Sequence, residues 1–272
     1  MLEQVRAAIE RHRGDSGIVY CIRRADVDSL CERLGELGYR ALPYHAGLDD
    51  AARKRNQEAF IREEVDTIVA TVAFGMGIDK SNVRYVIHAG MPKSLEHYQQ
   101  ESGRAGRDGL EAECTLFYSA GDHTTWSRIL AEMEPAAKSV AQGKLAEMYD
   151  YCTGVTCRHQ ALVGYFGQEL GVARGTRATQ NCGACDVCLG DLDCLENPLE
   201  TAQGVLLCVA EIEQRFGADY TAQVLLGSRD QRVVDNGHTS LPTYGLFAAH
   251  SRRVVRDWIE QLVSQGFLVK QG

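Results

Sequence analysis

Along the first half of the chain, short unbroken apolar runs alternate with stretches where apolar residues recur every three or four positions. The run Gly17 to Cys21 predicts a buried strand, and Val27, Leu30, Leu34 and Leu37 then fall at helical spacing. Arg40 to Ala46 predicts a second strand, followed by a polar helix from about Asp49 to Arg62. Thr67 to Thr71 and Tyr85 to Ala89 predict two more buried strands, with a helix from about Ser94 to Ser102 and a last strand from Cys114 to Tyr118. Strands that alternate with helices in this way predict a parallel sheet covered on both faces. This α/β domain is expected to end near Met133 or Pro135, giving a first segment over 1–134.

The pattern then changes. Lys138 to Tyr151 and Cys157 to Phe166 predict helices, and a Gly/Thr-rich stretch from Gly171 to Gln180 leads into clustered cysteines, so 135–196 reads as a helical, cysteine-bearing segment. Asn197-Pro198 marks a boundary. Beyond it lie a long amphipathic helix carrying Ala202, Val205, Leu206, Val209, Ile212 and Phe216, a short one around Val224, and a third from Ser251 to Gln265. Gly266 to Lys270 reads as a turn and a strand. Helices followed by a strand predict the start of a winged helix-turn-helix over 197–272. The whole is a multidomain chain, α/β followed by α.

Composition narrows the class. Of 272 residues, 44% are hydrophobic and 24% charged, which fits globular domains and not disorder. The start is charged rather than apolar, and no apolar run approaches the roughly 20 residues that cross a bilayer, so an intracellular protein is expected, cytoplasmic or nuclear and not secreted. The net charge of −8 argues against bulk attraction to nucleic acid, yet Arg229, Arg232, Arg252, Arg253 and Arg256 face only Asp230 and Asp235 between Gly227 and Arg256. That local basic excess keeps a DNA-facing surface open.

Two segments carry phosphate chemistry. Ala70 to Lys80 reads as a strand emptying into Gly75-Met76-Gly77, where small residues let backbone N–H groups approach a phosphate; alone, such a loop is as readily a tight turn. Gln100 to Gly109 holds Arg104 and Arg107 three residues apart among Gly103, Ala105 and Gly106, so two guanidinium groups can project together toward a γ-phosphate.

These segments resemble motifs V and VI of superfamily 2 helicases, in wording closest to the RecQ type of DNA helicase. Tyr20 to Arg24 resembles motif IV, and Tyr44 to Leu48 resembles the next block of that family. The resemblance runs from about Gly17 to Gly272 and implies a RecA-like second motor lobe, a zinc-binding segment and a winged helix of a 3′-to-5′ helicase that acts on single-stranded and duplex DNA. It implies that Arg107 is the arginine finger, that Arg104 and Gln100 sense the same phosphate, and that Asp79 and Gly77 couple nucleotide state to DNA contact. Arg24, His45 and Thr71 would lie along the DNA backbone. No Gly-x-x-x-x-Gly-Lys-[Ser/Thr] loop occurs: Gly143-Lys144 is followed by Leu145, and position 138 is Lys. ATP and Mg2+ are therefore expected only with a first lobe supplied in the full-length protein or by a partner chain, and the isolated chain is expected not to hydrolyse ATP.

Ten cysteines need an explanation. Cys21, Cys31, Cys114 and Cys208 stand alone in apolar stretches and are expected to be buried. Cys182, Cys185 and Cys188 at two-residue gaps can converge on one metal, with Gly183 easing the bend. The resemblance implies Cys157 as fourth ligand of a structural zinc; Cys152 is the alternative, and His159 reads as a surface change where the family carries Arg. An iron–sulfur arrangement using Cys194 remains a rival, although a gap of five residues and Leu195 fit it poorly. On the third C-terminal helix, Val254, Val255, Trp258, Ile259 and Leu262 are expected to face inward, leaving Arg252, Arg253 and Arg256 outward near its start for duplex contact or simple solvation. The wing is expected to be cut short at Gly272.

Overall fold

The computed structural model describes residues 1–72, 74, 80–168, 182–192, 195–264 and 266–269. The chain forms two compact units, Met1–Cys152 and Thr153–Gly272.

In the first unit, strands β1 (Ser16–Tyr20), β2 (Ala41–Tyr44), β3 (Thr67–Ala70), β4 (Val83–Ala89) and β5 (Glu113–Phe117) make one parallel sheet in the order β2-β3-β1-β4-β5. Central β1 and β3 are buried along their whole length, as their continuous apolar runs require. Helices α1 (Leu2–Glu10), α2 (Arg24–Glu36), α3 (Asp50–Ile61), α4 (Leu95–Ser102), α5 (Ala120–Leu130) and α6 (Pro135–Thr153) accompany the sheet. On α2, Val27, Leu30 and Leu34 are buried, but Leu37 sits past the helix end and is 51% exposed.

Two cores sandwich the sheet. One joins α1 and α2 to Val19, Val69 and Ile87, and the other joins Phe60 and Phe74 to Ile18, Ile68 and Val86, the opposite face of the same strands. Gly17 is required by this packing, because a Cβ there would stand 2.0 Å from the Tyr85 ring. The Tyr85 hydroxyl in turn hydrogen-bonds buried Thr67 Oγ1 at 2.6 Å. Cys21, Cys31 and Cys208 are buried as expected, whereas Cys114, on edge strand β5, is exposed.

The second unit contains α7 (Arg158–Tyr165), α8 (Asp186–Leu189), α9 (Pro198–Glu211), α10 (Ala218–Leu225), α11 (Gln231–Asp235) and α12 (Arg252–Ser264), with a 3-10 turn at His238–Ser240. Val205, Cys208, Ile212, Val224, Leu225, Val233, Val255, Trp258 and Ile259 share one core, which draws on α9 through α12. Val254 is 37% exposed and not part of it; a stripe of Val255, Trp258, Ile259 and Leu262 already fills the inward face. Gly266 to Val269 forms a turn and a bend in place of the expected strand, and the remaining residues of that expectation lie outside the described ones. Among the described residues, no helix is long and apolar enough to cross a membrane.

Candidate functional site

The strand order brings three sequence-predicted residues together. Because β2, β3 and β1 are adjacent and parallel, His45 after β2, Thr71 after β3 and Arg24 after β1 all follow the carboxyl ends of neighbouring strands. That edge is where open α/β sheets bind ligands. Arg24 is exposed at the first turn of α2, and Thr71 is half-buried with its N–H donated to Tyr44 O at 3.2 Å.

His45 behaves differently from the expectation of a DNA-backbone contact. It is 5% exposed, its Nε2 lies 2.9 Å from Asp28 Oδ1, and its Nδ1 accepts the Gly47 N–H at 3.1 Å. With both ring nitrogens committed, His45 holds the loop after β2 against α2 and does not present a donor to solvent. Asp79 and Gly77, expected to couple nucleotide state to DNA contact, lie outside the described residues.

The arginine-bearing segment follows α4 directly. Ser94 caps this helix by accepting the His97 N–H, and Gln100 is exposed on its last turn. Past Ser102 the chain turns tightly: Gly106, at φ +63°, donates its N–H to Val83 O at 2.9 Å and so ties the loop to β4. Asp108 pairs with Arg84 in the same strand. Arg107 is exposed, with its Nε donating to Gly103 O at 3.4 Å. Arg104 is half-buried, and its Nε, itself buried, has no hydrogen-bond partner among the described residues. Burial pushes the Tyr20 phenol well above its usual range, and the nearby Arg104 guanidinium pulls the other way. The Tyr20 hydroxyl also donates to Phe74 O at 3.0 Å, so one buried phenol links β1, the loop after β3 and the arginine segment.

Anchoring beneath this segment comes from His88 and Glu101, buried side chains 2.9 Å apart, with the His88 ring stacked on Tyr20 and tilted against Tyr98. Sequence reading missed this pair, because a His inside a β run and a Glu inside a helix carry no spacing that links them.

A second constellation lies in the other unit. The thiols of Cys157, Cys182 and Cys185 and the His159 ring nitrogen all lie within 4.8 Å of one another. Cys157 Sγ and Cys185 Sγ are 4.0 Å apart, and Cys182 donates its N–H to Cys188 Sγ at 3.3 Å. Cys188 is close enough to interact with each of the other three thiols. Gly183, at φ +67°, makes the bend between Cys182 and Cys185. Arg158 clamps the two parts of the cluster: its guanidinium reaches Asp186 through Nε at 2.9 Å and Nη at 3.0 Å and the Gly154 carbonyl at 2.9 Å, while its N–H donates to Cys185 Sγ at 3.4 Å.

This donor set fits zinc. Tetrahedral zinc with bonds of about 2.3 Å to sulfur places its thiolates just under 4 Å apart. Burial opposes ionisation of Cys157 and Cys185, but backbone N–H groups and neighbouring thiols outweigh it, and both thiols titrate below their usual range. At Cys188 the Cys182 N–H favours the thiolate, yet partial burial and the three neighbouring thiols raise it well above that range. Four thiolates so close therefore need a cation among them. Cys152, the alternative ligand, is buried on α6 and is not a member of this mutually close group, and Cys194 lies outside the described residues.

The expected basic face on α12 is also present but not bare. Arg252 and Arg253 are exposed and Arg256 half-buried, and Asp219 at the start of α10 pairs with both Arg252 and Arg256. Arg232 is drawn away from any such face by stacking over Phe216 and Tyr220, 5.4 and 5.2 Å from their centroids.

Comparison with known proteins gives three family matches along the chain. Residues 1–109 match the helicase conserved C-terminal domain, 120–189 the RecQ zinc-binding domain and 196–272 the RQC domain. The chain is 40% identical over 261 residues to an ATP-dependent DNA helicase RecQ of Bacillus subtilis, covering 96% of this chain and 43% of that protein. It is 39% identical over 268 residues to the ATP-dependent DNA helicase RecQ of Haemophilus influenzae, covering 98% of this chain and 42% of the relative. The chain thus spans less than half the length of these relatives.

Proposed function

Since the chain belongs to the RecQ family and corresponds to its C-terminal helicase, zinc-binding and RQC portions, we propose that it supplies the second motor lobe and DNA-binding half of an ATP-dependent 3′-to-5′ DNA helicase. Segment 1–134 is the RecA-like lobe, 135–196 the zinc-stapled segment and 197–272 the winged helix. The observation that most supports this reading is the strand order β2-β3-β1, which puts Arg24 and Thr71 at one sheet edge, where we take them as backbone-phosphate contacts. His45 acts there by holding its loop, through Asp28.

Arg107 is the arginine finger of this assignment and acts on charge that develops at a γ-phosphate held by the first lobe. Arg104 and Gln100 sense the same phosphate; the Tyr20 and Gly106 contacts fix the segment that carries them. Asp79 and Gly77 complete the link between nucleotide and DNA. Zinc, when bound by Cys157, Cys182, Cys185 and Cys188, is a structural staple, because four protein ligands leave no open position for chemistry.

Within these 272 residues no phosphate loop and no Asp-Glu pair occurs, so in this reading the chain alone binds DNA without turning over ATP. Fluorescence anisotropy of labelled DNA tests the binding, and steady-state phosphate release with saturating single-stranded DNA tests the turnover. The isolated chain should be silent, while joining it to a first lobe should restore DNA-stimulated turnover. Turnover by the isolated chain that disappears in Arg107→Ala would overturn this division.

A further inference from the structure

The cysteine cluster offers five donors for a centre with four positions. His159, one residue beyond the clamp Arg158, sits in the first turn of α7 and holds Nδ1 3.1 Å from Cys182 Sγ. With Cys157, Cys182 and Cys185 it forms a mutually close set of one imidazole and three thiols, all within 4.8 Å. Cys188 interacts with the same three thiols, its Sγ accepting the Cys182 N–H at 3.3 Å. We propose that His159 is a reserve zinc ligand, so that the centre can be held as four thiolates or as three thiolates and one imidazole. This rests on the zinc reading above and adds a ligand to it.

Three observations favour an interchange between His159 and Cys188 rather than any other pair. Cys157 and Cys185 are buried, and each lies beside Arg158 in sequence or receives its N–H, so they form the fixed part of the site. Cys182 is within contact of both His159 and Cys188 and serves either set. His159 is exposed and its ring already faces Cys182 Sγ at 3.1 Å, so it can enter without dismantling the core. Charge points the same way. Four thiolates around a dication leave a net charge of −2, whereas three thiolates and a neutral imidazole leave −1. The adjacent Arg158 guanidinium is already committed to Asp186 and does not offset the larger charge.

Metal content of the purified chain and the spectrum of its cobalt-substituted form test the assignment. The unaltered chain and His159→Ala should each hold near-stoichiometric zinc, through the four thiolates. Cys188→Ser should also keep it, and its Co2+ form should show tetrahedral bands with weaker thiolate charge transfer. Cys188→Ser combined with His159→Ala should lose most of its zinc. Equal zinc loss in Cys188→Ser and in the double variant, with the unaltered chain fully loaded, overturns the reserve ligand alone. An unaltered chain that holds no zinc overturns the zinc reading and this one with it. Should Cys188→Ser fail to fold by circular dichroism, zinc release from His159→Ala to excess chelator decides: about tenfold faster release supports a donor that refills a vacated position, and an unchanged rate refutes it.

Discussion

Asp219 Oδ1 lies 3.0 Å from the Arg252 guanidinium and is shared with Arg256 at 3.3 Å, so one carboxylate offsets two of the three arginines on the outer face of α12. These groups are about half exposed, and the pairing adds little to stability, on the order of 0–1 kcal/mol. Its effect on a polyanion is larger, because Arg252 and Arg256 must share or leave Asp219 before either approaches a phosphate.

Asp219→Asn is accordingly expected to leave the unfolding midpoint nearly unchanged and to tighten duplex DNA binding, with a salt dependence steeper by about one. Fluorescence anisotropy over a salt series measures both. Unaltered affinity and slope would show that α12 does not face the DNA.

Breaking the His88–Glu101 pair should act on the first unit. Removing one partner of a buried, hydrogen-bonded pair costs about 3 kcal/mol, because the other is left without compensation. Glu101→Ala should shift urea unfolding by about that amount, and Glu101→Gln, which keeps an acceptor near His88 Nε2, by about 1 kcal/mol. Equal shifts for the two variants would mean that bulk, not the hydrogen bond, is what Glu101 contributes.

Much of this was legible in the chain because the signals are periodic or local. The apolar runs at Gly17 to Cys21, Thr67 to Thr71 and Tyr85 to Ala89 became β1, β3 and β4, since a strand buried on both faces has no other way to read. The two-residue gaps among Cys182, Cys185 and Cys188 marked one cluster for the same reason. What escaped was pairing across distance. Nothing at Asp28 announces that it will engage His45, nor at Asp219 that it will meet a helix more than thirty residues away. The short helix Gln231–Asp235 also escaped, because it is too brief to show a period and owes its place to Val233 in the core. His159 looked like a surface replacement, as a single exposed imidazole does until its neighbours are known.

Acid should weaken the first unit through Glu113. Its partial burial opposes the charge, but Arg11, Thr115 and His12 hydrogen-bond it and hold the carboxyl down at about 2. A carboxylate whose folded value lies below its unfolded one contributes stability above about pH 4.5, and that contribution is lost as pH falls toward 2. The full shift corresponds to about 3 kcal/mol, and solvent screening of a side chain 36% exposed reduces this to on the order of 1–2 kcal/mol. Glu113→Gln should therefore lower stability at pH 7 and flatten its decline between pH 4.5 and 2. A decline as steep as that of the unaltered chain, followed by urea unfolding at each pH, would assign the acid sensitivity to other carboxylates.

The two arginine groups should separate turnover from DNA affinity. Arg107 is exposed on a loop that Gly106 ties to Val83, so its removal leaves the fold and the sheet edge of Arg24 and Thr71 intact. In a protein that carries both lobes, Arg107→Ala should reduce DNA-stimulated ATP turnover on the order of 10³-fold or more, since it withdraws charge needed only in the transition state. DNA affinity should change little, because it is spread over many backbone contacts. Replacing Arg252, Arg253 and Arg256 together by Ala should do the reverse, weakening duplex binding and lowering its salt slope while basal turnover survives. Asp219 makes the second effect smaller than three full phosphate contacts, as it already occupies two of those arginines in the free protein. Parallel measurement of phosphate release and duplex affinity in both variants decides the matter: if Arg107→Ala lowers affinity as much as the triple change does, turnover and DNA contact are not divided between these two surfaces.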